Sequence, residues 1–259
     1  MAFTTVGFLE DIDPAGAFAA LAALADQHVS VVGDDIRVPT MNQIVAVAGG
    51  SDGVVAPRLR LVSPTLRQLS NFQVAPLNVQ NAAAVEPDTP HAIVDLRANP
   101  KVLISGENLN AELLSNPAAV QDQWCIVWLA DAPIAPITGE MFTVRVTSAT
   151  ALVLNVWSNV PIVFDEDLRR GRYQVVGMRP MSAGCVAARI VFVGGVGRPG
   201  ALGTDVIQDI ESPMFRYGQF GAWGEFEDTD PPTIDFLSIS ADATQEALLD
   251  LIQVREGPG

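Results

Sequence analysis

Apolar residues in this chain come in many short runs, each closed by Gly, Pro, Asn, Asp or Ser, and several alternate with polar residues. That is the pattern of short strands joined by turns. Ile36-Arg37-Val38 and residues 44–47 read as strands, and residues 49–53 (GGSDG) as a turn. In residues 54–62, Arg58 and Arg60 alternate with Leu59 and Leu61, while Pro57 marks an edge or a bulge. Residues 72–79 are extended, 81–90 form a loop with two prolines, and 92–96 and 101–105 are strands split by Asn99-Pro100. Residues 107–114 read as a short helix or a loop. The run Trp124-Cys125-Ile126-Val127-Trp128-Leu129 is continuous, as expected of a strand buried on both faces. Residues 131–139 hold two prolines and mark a junction between halves.

The second half continues the pattern. Residues 141–147 and 151–157 predict a hairpin around Ser148-Ala149-Thr150, with a further strand at 162–164. Residues 173–178 and 186–193 predict a hairpin across Ser182-Ala183-Gly184. A loop rich in glycine follows, then a glycine-aromatic strand over 215–226 and a strand over 233–240. Two segments read as helices. Asp13-Pro14 resembles an N-cap with proline at the first helical position, and Phe18, Leu21, Ala22, Leu24 and Ala25 recur at helical spacing, predicting a helix over 14–27 behind an extended arm, 1–12. Asp242 with Gln245 three residues on has the capping-box spacing, and Ala247, Leu248, Leu251 and Ile252 form one stripe. The expectation is an all-β fold of about eleven or twelve strands, a jelly-roll β-sandwich and most simply two in tandem, with a short helix near each terminus. Its parts are an arm and helix (1–35), a first sandwich (36–135) and a second sandwich with the C-terminal helix (136–259).

Charge narrows the partners. The 259 residues carry 15 basic and 30 acidic side chains, a net charge of −15, and Lys101 is the one lysine. A chain that binds phosphate backbones needs clustered cations, so direct nucleic-acid binding is not expected. Charged residues make up 17% of the chain. An ordinary soluble domain has about 25%, so other copies of the chain are the simplest cover for the surplus neutral surface. No apolar run approaches a membrane span, and no basic lead marks a signal peptide, which predicts a soluble protein made in the cytosol. Cys125 and Cys185 each sit in an apolar run and read as buried thiols, with a disulfide between them left open.

Few motifs carry chemistry. Residues 195–200 (GVGRPG) fit the dinucleotide pattern G-x-G-x-x-G, but Pro199 removes a backbone donor and no βαβ alternation surrounds it. This reads as a flexible loop whose Arg198 is free to meet a neighbouring subunit's carboxylate. Asp165-Glu166-Asp167 before Arg169, Arg170 and Arg172 is either a solvated, self-offsetting strip, an intersubunit patch or a structural calcium site; no other cofactor is expected. Asp34-Asp35 lacks the EF-hand ladder. His28 and His91 have no ligand-spaced partners, and neither a nucleophile elbow nor a zincin motif is present, so no enzymatic role is expected. Phe215, Arg216, Tyr217, Phe220 and Trp223, with Arg198, are the candidate subunit-interface residues, because aromatics and arginine anchor such contacts. The competing reading is a core strand with bulges.

The N-terminal arm and helix, the strand 124–129, the hairpin at Gly171-Arg172-Tyr173-Gln174-Val175-Val176-Gly177 and the aromatic-glycine strand before Pro231-Pro232 together resemble a jelly-roll major capsid protein of tailless icosahedral viruses, of the double jelly-roll type. The resemblance implies self-assembly through trimers or higher oligomers into a virion shell, with other virion proteins or an internal membrane as partners. It carries no functional residues. It also implies sixteen strands, more than the pattern predicts. The alternative is a lectin-like carbohydrate-binding sandwich that uses Trp223 or Tyr217 as a stacking platform.

Overall fold

A computed structural model describes residues 2–25, 28–51, 57–68, 72–74, 93–117, 119–204 and 212–256. The expected loop at 81–90, His91 and residues 75–79 of the expected extended segment 72–79 lie outside the described residues. The chain divides into two compact units, Thr5–Pro133 and Ile134–Gly259 together with Met1–Thr4. Both are almost wholly β.

In chain order the first unit holds β1 (Phe3–Ile12, from Thr5 on), β2 (Phe18–Ala20), β3 (Val31–Val32), β4 (Asp35–Arg37), β5 (Gln43–Gly50) and β6 (Arg58–Val62). A one-turn helix α1 (Pro64–Gln68) follows, then β7 (Phe72–Val74), β8 (Ile93–Asp95), β9 (Lys101–Val102), β10 (Asn108–Leu114) and β11 (Gln121–Ala130). One sheet runs β1-β11-β5-β8, with β9 also on β5; the other runs β3-β4-β10-β6-β7, with β2 also on β10. The long strands are central because they are apolar on both faces: residues 124–130 of β11 and 44–48 of β5 are all buried. Burial pushes the Cys125 thiol well above its ordinary pKa, and Cys125 and Cys185 are both buried and form no disulfide with each other. Gly50 faces Trp124 across the ladder, where a Cβ would collide with the indole. The β6 alternation is as expected, with Leu59 and Leu61 buried and Arg60 directly opposite Glu112.

The second unit holds β12 (Phe142–Ser148), β13 (Trp157–Val160), β14 (Val163–Phe164), β15 (Gly171–Met181), β16 (Cys185–Val191) and β17 (Gly200–Leu202). A 3-10 turn (Pro213–Phe215), β18 (Gly224–Glu227), β19 (Thr233–Ser238) and β20 (Gln245–Glu256) complete it. Its sheets run β14-β12-β20-β15-β18 and β13-β19-β16-β17.

Several expectations are corrected. Neither terminal helix exists. After Pro14, Ala15 (φ 52°) and Gly16 (φ 76°) adopt left-handed backbone, which stops a helix at its first turn, and Asp13 accepts the Ala15 N–H in a local turn. Phe18–Ala20 then pairs with Glu112–Leu114 of β10. Phe3–Ile12, expected as part of an extended arm, is a core strand with Phe3 to Leu9 buried. At the other end, β20 is a central strand between β12 and β15, and Ala247, Leu249 and Leu251 are buried at strand spacing. Asp242 caps the turn at 182–184, accepting from Ser182 Oγ (2.7 Å) and the Ala183 N–H (3.0 Å). Residues 107–114 form neither helix nor loop: Leu109, Ala111 and Leu113 of β10 point inward and Asn108, Asn110 and Glu112 outward. Both predicted hairpins fail for one reason. β12 and β13 lie in different sheets, as do β15 and β16, so each turn carries the chain between sheets and long-range partners complete the ladders. Residues 215–226 are a turn followed by the short strand β18, because Tyr217 (φ 50°), Gly218 and Gly221 are left-handed.

Candidate assembly surface

Three expected interface aromatics are core residues of the second unit. Phe3 meets Phe220 and Trp223 edge-to-face at 5.1 and 5.6 Å between ring centroids, and Phe215 packs on Phe220 at 5.3 Å. Trp223 is buried and so offers no stacking platform for a sugar. Arg198 is also buried. Its Nη1 reaches the carbonyls of Gly195 (3.4 Å) and Gly197 (3.3 Å), and its backbone N–H donates to Thr4 Oγ1 (3.2 Å). The glycine loop therefore wraps its own arginine, and the Gly195 N–H is spent on the Phe192 carbonyl.

Arg216 is 2% exposed and holds Asp250, itself 0% exposed, through Nε (2.7 Å) and Nη2 (2.9 Å). Asp250 also accepts the Tyr217 N–H (2.9 Å) and Thr143 Oγ1 (2.7 Å), so four donors surround one carboxylate. The pair fixes the turn after Phe215, and a β-bulge at Gly177 makes room for it. A Cβ on Gly177 would sit 2.5 Å from Asp250 Oδ2 and 2.8 Å from the Phe215 carbonyl. What the turn presents outward is Tyr217, 52% exposed, with the Arg216 guanidinium 4.5 Å from its ring centroid.

Among the described residues, the ion pairs of the acidic-basic strip run to residues outside it rather than between its own acids and arginines. Arg145 binds Asp165 (2.6 Å) and Glu246 (2.5 Å), and those two acids hold its guanidinium in the charged form. Arg172 lies 3.2 Å from Glu225 and 3.7 Å from Glu227. Among the described residues no group of three or more His, Cys, Asp or Glu side chains is placed to hold a metal ion. No described helix is long and apolar enough to cross a membrane.

Exposed apolar side chains of this unit include Val193 (74%) and Val196 (70%) on the glycine loop and a run in the connection between β12 and β13. Val153 (63%), Leu154 (45%) and Val156 (44%) project from a loop closed by Ser158, whose Oγ accepts the Val153 N–H at 3.0 Å and donates to the Val153 carbonyl at 3.2 Å. The Leu152 and Asn155 N–H groups donate to the carbonyls of Asp242 and Ser238, so the loop is held rather than loose. Val163 (66%) is exposed on the edge strand β14. No charged residue occurs from 146 to 164, in a chain of net charge −15. This gap in the charge pattern is readable in the sequence and is the signal that the aromatic-centred reading passed over.

Compared with family models, with curated proteins and with solved structures, the chain matches none.

Proposed function

We propose that each unit is an eight-stranded jelly roll and that the chain is a self-assembling shell protein, the major capsid protein of a tailless icosahedral virus. The observation that carries this reading is strand order. With β3, β4, β9 and β14 set aside as additions, each unit has eight strands. Counted along the chain, they read 1-8-3-6 in one sheet and 2-7-4-5 in the other, in both units: β1-β11-β5-β8 with β2-β10-β6-β7, and β12-β20-β15-β18 with β13-β19-β16-β17. This is the order produced by folding a long antiparallel pair over itself into two Greek keys. Two such units in one chain give the sixteen strands that the double jelly-roll resemblance implies.

The surface supports assembly with like copies. Chains of net charge −15 repel one another. A contact between copies is least costly where no charge must be desolvated or opposed, and the exposed valines and leucine of 153–163 occupy such a stretch. The products are trimers or higher oligomers within a virion shell.

Size-exclusion light scattering followed by negative-stain microscopy of the purified chain tests the proposal. Trimers, pentamers or closed shells are expected. Val153→Asp with Leu154→Asp should return the protein to monomer with unchanged circular dichroism. A wild-type monomer at both low and high protein concentration would sink the reading.

A further inference from the structure

We infer that the groove at the start of β12 receives the 153–156 loop of a second copy of the chain, so that copies join head to tail. The inference rests on the self-assembly proposed above and supplies the second surface that assembly needs. One patch that meets itself on another copy makes a closed pair, whereas a ring of three needs two different surfaces on each copy. Groove and loop both belong to the second unit.

The groove has a volume of about 760 Å³. Met141, Phe142, Ile252 and Val254 give it an apolar lining, in which Phe142 is 39% and Val254 44% exposed. Val254 stands out because β20 slips register against β15 there. Arg172 lies opposite Arg255 and Tyr173 opposite Gln253, which leaves Val254 as the extra residue of a bulge. Phe142 meets Tyr173 edge-to-face at 6.1 Å between ring centroids, and the Tyr173 hydroxyl donates to the Arg169 carbonyl at 2.6 Å. These walls are set before a partner arrives, which lowers the ordering cost of binding.

Charge selects the occupant. Glu140, Glu166 and Asp167 are exposed at the rim against Arg169 and Arg255, and Glu227 already holds Arg255 at 3.0 Å. A rim with acids in excess repels any acid-bearing segment of another copy. Residues 146–164 carry no charge, and within them Val153, Leu154 and Val156 project from a convex loop. Val193 and Val196 are also exposed, but only glycines lie between them, so their loop offers less apolar side chain. The Leu152 and Asn155 N–H groups donate to the Asp242 and Ser238 carbonyls, which holds the 153–156 loop at the end of β12 where Ser148 pairs with Gln245. The groove is at the Phe142 end, about 20 Å away along the strand. The loop therefore leaves its own groove open, and the loop of another copy fills it.

Size-exclusion light scattering of two full-chain variants, apart and mixed, tests this. Val153→Asp with Leu154→Asp removes the loop, and Val254→Asp puts a further acid in the groove. Each alone should be monomeric with unchanged circular dichroism. An equimolar mixture should form a heterodimer and nothing larger, because only the groove of the first and the loop of the second remain intact. Val254→Lys should behave as Val254→Asp does, and takes its place if that variant misfolds. Val193→Asp with Val196→Asp should assemble like the wild type. Three results overturn the inference: wild-type assembly of the Val254 variants, a mixture that stays monomeric at high protein concentration, or loss of assembly in the 193/196 variant while the 153/154 variant still assembles. In each of these cases a wild type that forms trimers or shells leaves the self-assembly reading standing. A wild type that is monomeric at every concentration overturns both.

Discussion

The two units share a strand order and differ in what they bury. In the first, the buried polar side chains among the described residues are neutral: Thr5, Ser51, Ser63, Asn110, Ser115 and Gln123. In the second they include four charges, Arg189 with Asp235 and Arg216 with Asp250, besides Arg198. Each pair joins distant parts of the chain. Arg216 comes from a turn and Asp250 from the centre of β20, while Arg189 and Asp235 face each other on β16 and β19 beneath Trp157, whose ring centroid lies 4.1 Å from the guanidinium. The difference teaches what charge does in a core. Among the described residues the first unit's core holds only neutral polar groups, whereas in the second a fully bonded carboxylate fixes one arrangement of an otherwise irregular glycine-rich turn. A buried pair adds little net stability over apolar residues, yet removing one member leaves a stranded charge.

Breaking the second unit at Asp250 therefore has the largest expected effect. Asp250→Ala leaves the Arg216 guanidinium buried without its acceptor and should cost about 3–5 kcal/mol in denaturant unfolding. Adding Arg216→Met should restore part of that loss. If Asp250→Ala costs less than about 1 kcal/mol, the turn is not held by this pair. Gly177→Ala ranks next. Its methyl would press on Asp250 Oδ2 and the Phe215 carbonyl, and overpacking of that kind costs about 1–3 kcal/mol.

The first unit supplies the matching control. Ser115 Oγ donates to Gln123 Oε1 at 3.2 Å, and both residues are fully buried. Ser115→Ala removes a neutral bond and should cost about 1 kcal/mol, well below the Asp250 effect. Equal costs for the two substitutions would erase the distinction between the units.

Much of this was legible in the sequence, and the failures have physical causes. Residues 124–129 and the alternation around Arg58–Leu61 read correctly because a central strand and a half-buried strand each leave a local pattern. β20 misread because Glu-Ala-Leu-Leu suits a helix as well as a strand, and its two long neighbours decided the outcome. The hairpins misread because adjacency in sequence was taken for adjacency in a sheet. The Arg216–Asp250 pair was illegible, since its members lie 34 residues apart and an arginine among aromatics reads equally well as surface. The charge-free stretch 146–164 was visible and marks the candidate surface without any knowledge of the fold.

The smallest expected effect is acid sensitivity at Asp242, a charge that serves a turn of the second unit at the surface rather than in the core. Burial raises its pKa, but hydrogen bonds from Ser182 Oγ and from the Thr244 and Ala183 N–H groups outweigh that and hold it below the usual carboxylate range. The folded protein then binds this proton less readily than the unfolded chain, so the contribution is complete above the unfolded value of about 3.9 and fades as pH falls through the lower folded value. Asp242→Asn should lower the melting temperature slightly at pH 6. The gap between variant and wild type should narrow as pH falls through and below about 4, where the wild-type carboxyl takes up its proton. Comparing the two proteins cancels the titration of the other carboxylates. A gap constant from pH 6 to the acid limit of folding would assign the turn's stability to its backbone rather than to the Asp242 charge.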